Sequence, residues 1–177
     1  IKMINTPQRA HIPIHIASLG PKSVEICAAS ADGWLPFLFV PERADRVWGS
    51  ALAKGLAKRS PDLAPLEITG GGLLAIGPMA DGVALRDRAR PMLALYIGGM
   101  GARGTNFYND LFTRYGYESE AREIQDLFLD GKQREAAGKV PDAFVDEVAL
   151  VGSVERIRDR LAAWRESGAT TLLVSTR

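Results

Sequence analysis

Short apolar runs that stop at glycine or proline and give way to helical periodicity recur along this chain, and that alternation limits its fold more than any other feature. In Ile12-Pro13-Ile14-His15-Ile16-Ala17-Ser18-Leu19 the isoleucines alternate with other residues, which is the period of a strand. Gly20-Pro21 ends the run ahead of Val24, Ile26, Cys27, Ala28 and Ala31, a helical pattern. Trp34 to Val40, bounded by Gly33 and Pro41, suits a buried parallel strand whose ladder Pro36 should end. Leu66 to Ile76 and Thr170 to Val174 are the other strand candidates. Helical patterns follow Pro41 and Asp81, and cover Asn106 to Tyr115, Glu118 to Leu129 and Asp142 to Val148. The clearest has Val154, Ile157, Leu161 and Trp164 on one stripe, with Ser153 as its N-cap and Gly168 as its stop. Strands alternating with helices predict parallel βαβ units, with four strands near residues 12–18, 33–39, 66–76 and 170–175 and helices on one side.

Two local features modify this plan. Gly70-Gly71-Gly72 should force a bulge or break in the third strand; a bulge at a barrel rim is the favoured reading, and close approach of backbone to a ligand the other. Pro91 should kink or split the helix around it. The helical excursion between the third and last strands is too large for a plain βα connection, and such insertions often cover a site mouth or an interface. A complete eightfold βα barrel needs about 250 residues. Four units within 177 residues therefore amount to about half of one, read as a single α/β domain over residues 1–177. A half barrel has open sheet edges and an uncovered inner face, so either the first half precedes Ile1 in the same protein or the chain self-associates as a homo-oligomer.

The 22 Lys and Arg against 21 Asp and Glu leave no basic field for nucleic acid. No apolar run approaches the ~20 residues that span a bilayer and no signal-like segment opens the chain, so no membrane partner and a cytoplasmic location are expected. Cys27, the single cysteine, reads as a buried, inert thiol. Neither a Ser-His-Asp spacing, H-E-x-x-H nor a cysteine-histidine cluster occurs, which excludes the commonest hydrolase and metal chemistries and leaves only His11 and His15 as imidazoles. If Ile12, Ile14 and Ile16 face the helices, His15 points inward below Ala17, and a hydrogen-bonded core histidine is favoured over a catalytic one. The turn at Gly20-Pro21-Lys22 leaves helix N–H groups free for an anion, although on those three residues alone an ordinary βα turn is favoured.

The segment from Ile14 to Pro36 resembles the fifth-strand region of the bacterial luciferase-like monooxygenase superfamily. Leu95-Tyr96-Ile97-Gly98-Gly99-Met100-Gly101, Asn106-Phe107-Tyr108-Asn109-Asp110 and Val148-Ala149-Leu150-Val151-Gly152 resemble its flavin- and deazaflavin-dependent branch, which includes methylenetetrahydromethanopterin reductase. The resemblance covers almost the whole chain and fits only the carboxyl-terminal half of such a protein. It implies a TIM barrel of the (β/α)8 type, with this chain supplying strands five to eight. It further implies an oxidoreductase transferring a hydride between a deazaflavin, coenzyme F-420, and a small organic molecule, with FMN as the alternative cofactor. Ala17, Ser18, Leu19, Gly20, Pro21, Lys22 and Pro36 fall at the positions where the family holds its cofactor. Asp32 reads as shaping the turn before Gly33. The family's acidic and histidine residues near the ring come mostly from the other half, so no proton donor is assigned and the fragment alone is expected to be inactive. A non-catalytic half barrel held together by self-association is the competing reading.

Overall fold

A computed structural model describes residue 6, residues 8–77 and residues 83–176. The order is β1 (His15–Ala17), α1 (Pro21–Ser30), β2 (Gly33–Leu35), a 3-10 turn (Pro41–Arg43) leading into α2 (Ala44–Leu56), and β3 (Glu67–Ile76). Then come α3 (Val83–Ala94), a π-helical turn (Leu95–Gly99), α4 (Phe107–Arg114), α5 (Glu118–Leu129), α6 (Gln133–Gly138) and α7 (Asp142–Val148). The chain closes with β4 (Leu150–Gly152), α8 (Val154–Glu166) and β5 (Thr171–Ser175). Every strand pair is parallel, as the alternation predicts, but the sheet has five strands rather than four, because Leu150–Gly152 also pairs.

The long strand β3 holds the sheet together by changing partner along its length. Glu67 and Ile68 pair with β2, Thr69 to Leu73 with β5, and Leu74 to Ile76 with β4. The expected bulge at the three glycines is absent, and β3 runs through them unbroken. They are needed for a different reason. A Cβ on Gly71 would lie 1.7 Å from the Leu173 carbonyl oxygen, one on Gly72 would lie 2.3 Å from that of Val148, and one on Gly70 would meet the Trp164 ring at 2.7 Å. Glycine lets β5, the end of α7 and α8 close on one short piece of backbone.

β1 and β2 are shorter than expected for local chemical reasons. Ahead of His15, the Ile14 N–H donates to the Asp32 carboxylate at 2.8 Å instead of to a strand, and Pro13 has no N–H at all. Past Leu35, Pro36 ends the ladder. Asp32 also accepts from His11 Nε2 at 2.9 Å, so its role in shaping this turn is structural. His15, Gly33 and Glu67 sit side by side across β1, β2 and β3. The imidazole lies over Gly33, and its Nε2 is 3.5 Å from a Glu67 carboxylate oxygen, a partner that sequence distance conceals. Ile12, Ile14 and Ile16 do not pack under helices; all three are exposed. Cys27 is buried and its thiol donates to the Gly33 carbonyl.

The helical excursion has its own part of the core, with Leu93, Ile97, Leu111, Phe112, Ile124 and Phe144 buried. Asn106 caps α4, accepting from the N–H groups of Tyr108 and Asn109, while its amide donates to the carbonyls of Tyr96 and Ile97 at 3.0 Å. Asn109 adds a bond to Ile97 and one to Ala121. The two asparagines thus satisfy carbonyls that the π turn leaves without helical partners. The helix does not split at Pro91; its winding changes at Leu95 instead. Asp81, where helical periodicity was expected to begin, lies outside the described residues. Ser153 caps α8 as expected, accepting from the Arg156 N–H at 3.3 Å.

The segment after β2 is pinned from the excursion. Leu38 has a left-handed backbone (φ 54°), costly for a γ-branched residue, and it is buried. The Tyr115 hydroxyl donates to the Leu38 carbonyl at 2.8 Å and accepts from the Val40 N–H at 3.3 Å. Burial pushes this phenol far above its ordinary pKa, so it remains a donor at any working pH.

Three stability predictions follow from these contacts. Gly71→Ala should cost about 2–3 kcal/mol by urea unfolding, since the β5 backbone must move, whereas Gly138→Ala, with open space around it, should cost nothing. Tyr115→Phe leaves the Leu38 carbonyl buried without its donor and should cost about 1–3 kcal/mol by the same measurement. The Ile14 N–H, with help from His11, holds the Asp32 carboxyl below the usual carboxylate range. Its contribution is therefore complete above the unfolded value of about 4 and is lost as pH falls through the lower folded value. The stability gap between the parent and Asp32→Ala should be flat near neutrality and shrink below about pH 4.

Candidate functional site

The β1–α1 turn is built from inside by two buried tryptophans. Trp34 on β2 donates its indole N–H to the Ser18 carbonyl and Trp48 on α2 donates to the Leu19 carbonyl, each at 2.9 Å. Their rings meet edge to face at 5.1 Å. With both carbonyls drawn inward, the opposite side of the turn is left for other contacts. The Ser18 hydroxyl is buried with no hydrogen-bond partner among the described residues, and the Ser23 hydroxyl donates to the Gly20 carbonyl at 2.9 Å. Gly20 is the N-cap of α1 with ordinary extended angles (φ −74°, ψ 147°). A Cβ there would touch only Ser23 Oγ, at 3.6 Å, so the turn itself does not require glycine. Pro21 at the helix start contributes no N–H, leaving those of Lys22 and Ser23 as the unpartnered helix donors.

Two adjoining cavities open at the carboxyl ends of the strands, sharing Ala17, Leu35 and Phe37. The smaller, about 310 Å³, is bounded by Ser18, Leu19, Gly20 and Ser23 of the turn, with Phe107 and Tyr108 of the excursion opposite. The larger, about 690 Å³, lies against Pro36, the glycine stretch of β3, the end of β5, and Arg88, Ala89 and Met92 of α3. Phe37 stands between them in an aromatic group, its ring 4.5 Å from Tyr96 and 5.9 Å from Tyr108, and Tyr96 lies 4.8 Å from Tyr108.

Of the residues singled out in sequence, Ala17, Ser18, Leu19 and Gly20 come together around the smaller cavity, and Ala17 and Pro36 also bound the larger. Pro21 and Lys22 line neither. The Lys22 charge instead acts, behind Lys58, to hold the Glu25 carboxyl below its usual range. Sequence reasoning missed Phe37, Arg88, Met92 and Tyr108. For Tyr108 the signal existed in the Asn106 to Asp110 segment; Arg88 is one arginine among several on a helix and carries none. The glycines of β3 make no bulge; they admit neighbouring chain and also line the larger cavity. Among the described residues, no Asp, Glu or His bounds either cavity. Among the described residues no cluster of His, Cys, Asp or Glu suits a metal ion, and no helix is long and apolar enough to cross a membrane.

Comparison with known proteins bears on the fold and the family. Residues 2–171 match the family of luciferase-like monooxygenases. A Mycobacterium tuberculosis protein provisionally named a coenzyme F-420-dependent oxidoreductase is 37% identical over 99% of this chain and 50% of its own length. The phthiodiolone/phenolphthiodiolone dimycocerosates ketoreductase of Mycobacterium kansasii is 26% identical over 95% of this chain and 46% of its own length. Among solved structures, the coenzyme F-420-dependent tetrahydromethanopterin reductase of Methanopyrus kandleri superposes with a TM-score of 0.68 at 17% identity, over 92% of this chain and 44% of that one. An F-420-dependent secondary alcohol dehydrogenase in complex with an F-420–acetone adduct gives 0.57 at 12%, over 98% and 45%. The chain spans about half the length of the relatives it matches, and its parallel α/β fold is that of the barrel the resemblance implied. A match over residues 2–171 together with a relative 37% identical along 99% of the chain establishes that this protein belongs to the luciferase-like monooxygenase family.

Proposed function

We propose that this chain supplies the carboxyl-terminal half of the cofactor and substrate site of a coenzyme F-420-dependent oxidoreductase. The observation that carries the reading is the pair of adjoining cavities at the ends of the parallel strands, where a polar recess at a helix amino terminus meets a roomy apolar slot. The residues fit such a cofactor. The unpartnered Ser18 hydroxyl and the Ser23 N–H suit a phosphate or ribityl chain, and the open space beside Gly20 admits it. Leu35, Pro36 and Phe37 suit the face of a tricyclic ring. When bound, a reduced deazaflavin supplies the hydride. The chain's own groups orient the ligands and keep water away: Trp34 and Trp48 fix the turn, Tyr115 fixes the segment carrying Phe37, and the aromatic group walls one side.

Because no carboxylate or imidazole among the described residues faces either cavity, the acid that protonates the substrate is assigned to the other half of the barrel. Exposed Ile14, Ile16 and Leu173 give that half, or a second copy of this chain, an apolar surface to cover. The names of three of the relatives support F-420, and no observation favours FMN.

The test is fluorescence titration of the protein at its native length with coenzyme F-420. Gly20→Val should raise Kd at least about tenfold while leaving the unfolding midpoint unchanged, because the side chain fills ligand space without crowding the turn. Lys22→Ala, outside both cavities, should change Kd less than about fivefold. Unchanged binding by a folded Gly20→Val protein would mean that the recess is an ordinary βα turn.

A further inference from the structure

Among the described residues, Arg88 is the one charged residue bordering the larger cavity. It shares a face of α3 with Met92, four residues on, and Ala89 lies beside them at the cavity wall. The neighbouring arginines of the helix are committed elsewhere: Arg86 grips Asp146 through two bonds of 3.0 and 2.8 Å, and Arg90 pairs with Asp87 and Asp142. Arg88 has no ion-pair partner among the described residues. Across from it the wall is apolar, with Leu35, Phe37, Leu73, Leu173 and Val174. An unpaired guanidinium facing an apolar slot is costly once the slot is covered, and an anion in the slot removes that cost. Its planar fork matches a carboxylate through two parallel bonds.

From these observations we infer that Arg88 marks a substrate subsite, and that the substrate is an amphipathic carboxylate whose apolar body lies along Leu73, Met92 and Leu173 while its carboxylate meets Arg88. The inference rests on the reading of the site as that of an oxidoreductase. The polar recess at Ser18 and Gly20 belongs to β1, and Arg88 to the helix that follows β3. With β2 between them, the two strands are roughly 10 Å apart at about 4.8 Å per step. The cavity bordered by Arg88 does not include Ser18 or Gly20. The site therefore has two separate places for negative charge, one for each ligand.

Calorimetric titration of the native-length protein with decanoate, and with decanol as the uncharged probe, tests this. Decanoate should bind at least about tenfold more tightly than decanol. Arg88→Leu should abolish that preference, Arg88→Lys should keep part of it, and both variants should bind coenzyme F-420 within about twofold of the parent. Three results would overturn the inference: no preference for decanoate in the parent, a preference that survives in Arg88→Leu, or loss of F-420 affinity in Arg88→Leu, which would make the arginine a cofactor ligand. If decanoate depends on Arg88 while the parent fails to bind F-420, the cofactor reading falls and the carboxylate subsite stands.

Discussion

The close approach of backbone to backbone at Gly71 and Gly72 is the constraint on which the rest of this structure depends. A strand of ten residues that must pair with β2, then β5, then β4 needs neighbours entering at different heights, and side chains at its centre would hold them off. Removing the Cβ atoms has two effects at once. It lets β5 and the end of α7 reach β3, and it leaves a shallow backbone floor on which the larger cavity rests. Fold and site therefore share the same three residues.

Around that floor, the groups bordering the cavities are held by bonds from deeper in the protein. The indoles of Trp34 and Trp48 fix the Ser18 and Leu19 carbonyls, and the Tyr115 phenol fixes the Leu38 carbonyl. Each donor residue is buried, so removing the donor would leave a carbonyl without its partner, and the bonds hold geometry as well as adding stability. Tyr115 directly follows α4, so part of the excursion's job is to brace the segment that carries Phe37. This connects the large insertion between β3 and β5 to the site without requiring it to move.

Much of the fold was legible because it rests on periodicity. The parallel βα alternation, the Ser153 cap and the buried Cys27 are all local patterns. What escaped depended on distance. β4 is only Leu150–Gly152, too short to announce itself, and it exists because β3 is long enough to offer it a partner. His15 and Glu67 are far apart in sequence and meet only through strand register. At the turn, Ser18 and Gly20 border the recess, while Lys22 borders neither cavity and its charge acts on Glu25. Arg88 could not be seen in sequence at all, since its distinction is that it lacks an ion-pair partner among the described residues.

The central claim is that the β1–α1 turn and the glycine floor together receive the cofactor. Hydrogen exchange of the native-length protein, with and without saturating coenzyme F-420, measures this residue by residue. The account predicts slower exchange at Ser18 to Ser23 and at Gly70 to Leu73 on binding, with α5 and α6 unchanged. Protection confined to the excursion, or none at the turn while the cofactor is bound, would contradict it.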